Sequence, residues 1–289
     1  MSVRVFAPAK VNLTLEVARP RADGLHPLQS VVMFADVGDV VEAAEAETLS
    51  LEIAGEFDAG LAADETNLIM RAARALAAEA GIAQPRARLA LEKNLPIASG
   101  IGGGSADAAA ALRALNALWG LDWPLARLQP IARTLGADVP VCLAGVPAYM
   151  TGAGETFEPM SAPSFAAVLV NTLKPLPTPD VYRRFDVMGL GRYFESKPPP
   201  VWGDSASALA ALSAIGNDLT APATALMPEI AEVSQALRVD SRARYVALSG
   251  SGATCFALTA SAADSEALAD ALQTAHPEWW VADTLLTGA

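Results

Sequence analysis

The chain has 289 residues, of which 52% are hydrophobic and 18% charged, enough apolar material for one large core or two modest ones and too much for wholesale disorder. Acidic residues number 32 against 20 basic ones, a net charge of −12. That balance argues against non-specific nucleic-acid binding, which relies on basic surface, so a phosphate site must be built locally from backbone N–H groups, a few cations or a metal.

In chain order, the opening MSVRVFAPAK reads as a strand and lacks the apolar core of a secretory signal. No apolar run approaches the ~18 residues of a membrane span, and a cytoplasmic location is expected. Val11, Leu13, Leu15 and Val17 alternate with Asn12, Thr14 and Glu16, the period of a half-buried strand. Short strand-like runs follow at 30–34, 39–42 and 49–53. A helix is predicted from Asn67 to a stop at Gly81, then a strand over 88–93. Next come a helix over 106–119 with Ser105 at its N-cap position and a helix over 125–135 ending at Gly136. The segments 174–180 and 197–200 are Pro-rich and aperiodic, candidates for a domain junction and a surface loop. Helices over 206–215, 228–237 and 264–275 and strands over 245–248, 255–258 and 279–282 complete an α+β pattern without strict βαβ alternation. Cys142 and Cys255 lie in apolar stretches and are expected to be buried, reduced thiols.

The strongest local signal is Pro96-Ile97-Ala98-Ser99-Gly100-Ile101-Gly102-Gly103-Gly104-Ser105-Ala106-Asp107. Its glycines allow close backbone approach and positive φ, and a helix starting just after them aims free N–H groups and a positive dipole end at an anion. A Walker loop fails, because no Gly-Lys pair occurs in the chain. A dinucleotide fingerprint fits poorly, because the sixth position from Gly100 is Ser105 and Asp122 lies in a loop. A Gly-rich connection without a ligand is the remaining alternative.

Residues 96–106 are similar over their whole length to the phosphate loop of the GHMP kinase superfamily. Ala7-Pro8-Ala9-Lys10-Val11-Asn12-Leu13 resembles that family's first motif, and Leu248-Ser249-Gly250-Ser251-Gly252-Ala253-Thr254 its third. Ala22-Asp23-Gly24-Leu25-His26 and Gly136-Ala137-Asp138-Val139-Pro140-Val141 resemble the branch that phosphorylates a cytidine-diphosphate-linked methylerythritol at its 2-hydroxyl, in the non-mevalonate route to isopentenyl diphosphate. The resemblance implies an α+β, two-domain, two-layer GHMP kinase fold. Its N-terminal domain, residues 1–160, would resemble the second domain of ribosomal protein S5, and its C-terminal domain, residues 161–289, would be ferredoxin-like. ATP as co-substrate and Mg²⁺ are implied as well, with small-molecule substrates, no nucleic-acid or membrane partner, and a monomer or weak homodimer.

Phosphoryl transfer needs positioning, electrostatic stabilisation and a group that takes the hydroxyl proton. Asp138, between Gly136 and Pro140, is the candidate base, and Lys10 is the candidate to pair with it and stabilise developing charge. For ATP the resemblance implies residues 96–106 with Asn67 and Lys93. For the acceptor it implies Asn12, Leu25, His26, Ala153, Thr178, Tyr182, Gly250 and Ser251, with His26 reading the cytosine edge and Tyr182 stacking on its face. Leu25 stands where the family usually has tyrosine. Ser105 is the candidate Mg²⁺ contact. The second histidine, His276, reads as structural.

Overall fold

The computed structural model describes residues 1–193, 195 and 197–288. A long first strand, β1 (Ser2–Asn12), ends where its side chains become fully buried, and a two-residue strand, β2 (Glu16–Val17), follows. The runs predicted at 30–34 and 39–42 are one continuous strand, β3 (Leu28–Ala44), with β4 (Leu49–Ala54) after it. Gly38 lets β3 pass the Ala7 carbonyl where a Cβ would have no room. Helix α1 (Leu68–Glu79) is capped by the Asn67 side chain and buries Ile69, Met70, Ala72, Ala73, Leu76 and Ala77, an amphipathic stripe. Strand β5 (Ala87–Glu92) leads to α2 (Gly103–Leu118), α3 (Leu125–Leu135) and the short α4 (Val139–Ala144).

Strands β6 (Ala148–Thr151), β7 (Thr156–Pro159) and β8 (Phe165–Asn171) follow, then α5 (Thr178–Val187), α6 (Ser205–Ile215), α7 (Thr220–Leu226) and α8 (Glu229–Val239). The chain closes with β9 (Tyr245–Leu248), β10 (Cys255–Leu258), α9 (Ala262–Ala275) and β11 (Trp280–Thr287). Two expectations are corrected here. Segment 174–180 is not aperiodic throughout: Pro177 supplies the N-cap of α5 and Pro179 sits in its first turn, where a missing N–H costs nothing. The helix after the glycines begins at Gly103, so Ser105 lies inside its first turn and Gly102 takes the cap position.

Packing groups the chain into two compact units. One comprises Met1–Ala9, Val37–Leu95 and Gly102–Gly145, the other Lys10–Asp36, Pro96–Ile101 and Val146–Ala289. This grouping follows packing and differs from a linear boundary near residue 160, because β1 and β3 are long enough to give residues to both. In the first unit β5 pairs parallel with β4 and antiparallel with the second half of β3, and α2 packs on α1 and α4. In the second unit the order β3-β11-β8-β10-β9 is antiparallel throughout, with β8 between β11 and β10. Its core gathers Val168, Val170, Val181, Phe185, Leu219, Ile230, Val233, Leu268 and Leu272 from strands and helices. Cys142 and Cys255 are buried and unbridged.

Candidate active site

Within the second unit, three stretches far apart in sequence are stitched together by backbone geometry. The Lys10 N–H donates to the Ile101 carbonyl at 2.8 Å, and the Asn12 N–H donates to Ser249 Oγ at 3.1 Å. Ser249 Oγ in turn donates to the Gly100 carbonyl at 2.9 Å, and the Thr254 N–H donates to the Ser99 carbonyl at 3.0 Å. The first strand's end, the first half of the glycine loop and the turn between β9 and β10 therefore hold one another. Gly100 is required at their meeting point. Its φ is +77°, and a Cβ there would lie 2.5 Å from the Gly252 carbonyl oxygen and 2.6 Å from that of Ser249. Gly250 (φ +56°) and Gly252 (φ +88°) shape the facing turn.

Asn217 braces that turn from below, its Nδ2 donating to the Leu248 and Gly250 carbonyls at 2.8 Å each. Ser251 meets Thr178 at 2.8 Å between hydroxyls, which attaches the start of α5 to the same turn. Asn12 donates its Nδ2 to Ser30 Oγ at 2.7 Å, while its Oδ1 is buried with no hydrogen-bond partner among the described residues. A buried acceptor left open costs free energy unless a ligand uses it. Four of the expected acceptor residues, Asn12, Thr178, Gly250 and Ser251, are thus brought together. His26 and Tyr182 also meet, with ring centroids 4.9 Å apart. Leu25 is half exposed beside them in sequence, and Ala153 sits at the turn between β6 and β7, its N–H bonded to Glu155 Oε2 at 2.6 Å.

In the first unit, Gly102 (φ +68°) turns the chain into α2, whose cap has no side-chain hydrogen bond. The first N–H groups of a 16-residue helix are left for an anion. Under this turn lies a buried ionic cluster. Lys93 Nζ bonds both Asp39 Oδ2 and, at 3.1 Å, Asp107 Oδ2, while Asp39 Oδ1 accepts the N–H groups of Asn94 at 2.6 Å and Leu95 at 2.8 Å. One lysine neutralises one carboxylate. The second, Asp107, has its carboxyl pushed up to about 8, by burial first, with Asp39 also raising it and Lys93 opposing. Lys93, expected at the nucleotide, is buried and anchors the two acids beneath the loop, its ammonium 3.1 Å from where a Cβ on Gly103 would lie. Gly103 itself has no positive φ, the left-handed positions of the loop being Ala98, Gly100 and Gly102.

The remaining expected residues occupy defined places. Asp138 is the half-buried N-cap residue of α4, with φ −83° and ψ −17°, and its side chain makes no cap bond. Lys10 is buried. Asn67 uses Oδ1 to cap Ile69 N at 2.9 Å and Nδ2 to bond the Ala62 carbonyl at 2.9 Å, so both ends serve its own loop. Sequence reasoning passed over Asp39 and Asn217, and it quoted Asp107 and Ser249 within motifs without giving either a role of its own. Ser249 stood inside the third motif, and Asp107 carried a signal as a lone charge in an alanine run that helical periodicity puts inside.

The family described as GHMP kinases N terminal domain matches residues 67–146, and that described as GHMP kinases C terminal matches residues 202–278. The chain belongs to the GHMP kinases, ATP-dependent phosphotransferases. It is 47% identical to a 4-diphosphocytidyl-2-C-methyl-D-erythritol kinase of Cereibacter sphaeroides over 98% of this chain and 99% of that one. It is 50% identical to the protein of the same name from Parvibaculum lavamentivorans over 95% of each. A crystal structure of a 4-(cytidine 5'-diphospho)-2C-methyl-D-erythritol kinase superposes with a TM-score of 0.77 at 34% identity, covering 99% of this chain and 100% of that one. A homoserine kinase from Cytophaga hutchinsonii, at 19% identity and a TM-score of 0.69, shares the fold.

Proposed function

We propose that the chain transfers the γ-phosphoryl group of ATP to the 2-hydroxyl of 4-diphosphocytidyl-2-C-methyl-D-erythritol, a step of the non-mevalonate route to isopentenyl diphosphate. The observation that carries this reading is relatedness from end to end, at 47% identity, to a kinase named for that acceptor. Asp138 takes the hydroxyl proton as the acceptor oxygen bonds to phosphorus and the bond to ADP breaks. Lys10 stabilises the negative charge that develops on the reacting oxygens. The N–H groups at the start of α2 hold phosphate oxygens, and the open Oδ1 of Asn12 accepts from an acceptor hydroxyl. His26 and Tyr182 take the cytosine.

Magnesium fits this donor set. Among the described residues no three His, Cys, Asp or Glu side chains gather as a metal cage, and Mg²⁺ bound with a nucleotide takes few protein ligands beside phosphate and water oxygens. Ser105 Oγ, in the first turn of α2, is the side chain that would hold it. When bound it neutralises charge on the phosphates.

The test offers ATP·Mg²⁺ with 4-diphosphocytidyl-2-C-methyl-D-erythritol, homoserine, mevalonate or galactose and scores ADP release. Release with the cytidine compound alone is expected. Turnover of homoserine or mevalonate with a comparable kcat/KM would overturn the assignment.

A further inference from the structure

Helix α5 carries Tyr182, Phe185 and Asp186, spaced so that all three lie on one face. That face is built around one imidazole. His26 is buried, lies 4.9 Å from the Tyr182 ring and 5.9 Å from the Phe185 ring, and its Nε2 sits 2.8 Å from Asp186 Oδ1. The Asp186 side chain is 42% exposed, so the histidine is the more enclosed partner. A carboxylate only accepts, so the Nε2 at this distance carries the hydrogen. The bond to Asp186 uses Nε2, so Nδ1 is the ring nitrogen left to face a ligand.

A neutral imidazole has one donor and one acceptor nitrogen, and the bond made by one fixes the role of the other. We propose that Asp186 is a positioning residue that holds His26 in the Nε2–H tautomer, so that Nδ1 is presented as an acceptor to a nucleobase amine. This deepens the reading above and rests on its assignment of His26 to the base. Cytosine offers a donor at its 4-amino group, whereas uracil offers an acceptor oxygen at the same place. The pair therefore sets base choice: an acceptor nitrogen fits the amine and repels the oxo group. The chain needs no charged residue against the base for this discrimination, only a carboxylate behind the ring.

The experiment has two arms on the whole protein. Selective ¹⁵N labelling of histidine gives spectra of only two residues, His26 and His276, assigned through His26→Ala. At neutral pH the parent should show an unprotonated Nδ1 on His26, a state that Asp186→Asn keeps, since its amide oxygen still accepts, and that Asp186→Ala loses. In the second arm, Asp186→Ala should raise acceptor KM roughly three- to tenfold, the worth of one hydrogen bond, with kcat and ATP KM within about twofold and Asp186→Asn restoring KM. Calorimetry with CDP and UDP should show a preference for CDP that shrinks in Asp186→Ala. An Nδ1–H tautomer or an imidazolium on parent His26, or an Asp186→Ala protein unchanged in tautomer, KM and base preference, overturns the proposal while leaving the acceptor reading standing. A CDP preference that depends on Asp186 in a protein that does not phosphorylate the cytidine acceptor leaves the base pocket standing and overturns the acceptor.

Discussion

Asp138 and Asp107 show how differently two carboxyl groups of one unit are set. Asp138 stands at the N-cap of α4, and its side chain makes no cap bond. On the proposed role of Asp138 as the base, Asp138→Asn should lower kcat by about 10²–10⁴ and leave ATP KM within a few-fold. Turnover near the parent value in steady-state assays would remove Asp138 from the chemistry. Asp107 is enclosed and half satisfied, its Oδ1 without a partner among the described residues. A carboxyl whose folded value rises to about 8 from an ordinary 3.8 supports folding below the ordinary range, and that support is lost as pH climbs toward 8. Asp107→Asn cannot ionise. Thermal unfolding from pH 4 to pH 8 should therefore show the parent's Tm falling relative to the variant, and parallel curves would mean that Asp107 does not hold its proton in the fold.

At the scale of elements, the glycine loop and the β9–β10 turn are one construction. Gly100→Ala places a methyl group against two backbone carbonyls at a left-handed φ, whereas Gly60→Ala meets a similar φ (+88°) in open space. Both carry the ~1–2 kcal/mol of left-handed strain, and Gly100→Ala should add about 1–3 kcal/mol of overpacking. Urea unfolding of the two variants checks this, and equal midpoints would show that the loop and the turn do not touch as described. Asn217→Ala should cost about 1–3 kcal/mol by stripping the donor from two turn carbonyls. A stability within 0.3 kcal/mol of the parent, by the same ~1 kcal/mol scale for a net hydrogen bond, would contradict the bracing role.

Elements with a period or a stop were legible from sequence. Helix α3, with Gly136 after it, and strands β9 and β10 fall where periodicity put them. Strand β8 did not announce itself, because a strand buried between two others reads as an unbroken apolar run without alternation. Helix α5 hid behind prolines that its first turn tolerates. In the site, the glycine positions and Lys10, Asn12 and Ser251 were legible as motifs, because close backbone approach leaves few residue choices. Asp39, Asn217 and Asp186 were not, since their partners lie 54, 33 and 160 residues away and only the fold supplies them.

The whole molecule solves an electrostatic problem visible in its composition. With a net charge of −12 it must handle a nucleotide and, on the proposed reading, a diphosphate-bearing acceptor. Lys93, enclosed beneath the glycine loop, is bonded to the Asp39 and Asp107 side chains, so helix N–H groups and glycine backbone are prominent in what the loop offers to phosphate. The full-length relationship to kinases named for a cytidine-linked acceptor fits that inventory. The proposed phosphoryl transfer is followed by ³¹P NMR of a reaction containing ATP·Mg²⁺ and 4-diphosphocytidyl-2-C-methyl-D-erythritol. A new phosphomonoester resonance is expected, equal in amount to the ADP formed, with the acceptor's diphosphate pair intact. ATP consumed without that resonance, or a phosphomonoester formed as readily on homoserine or mevalonate, would contradict the proposed transfer.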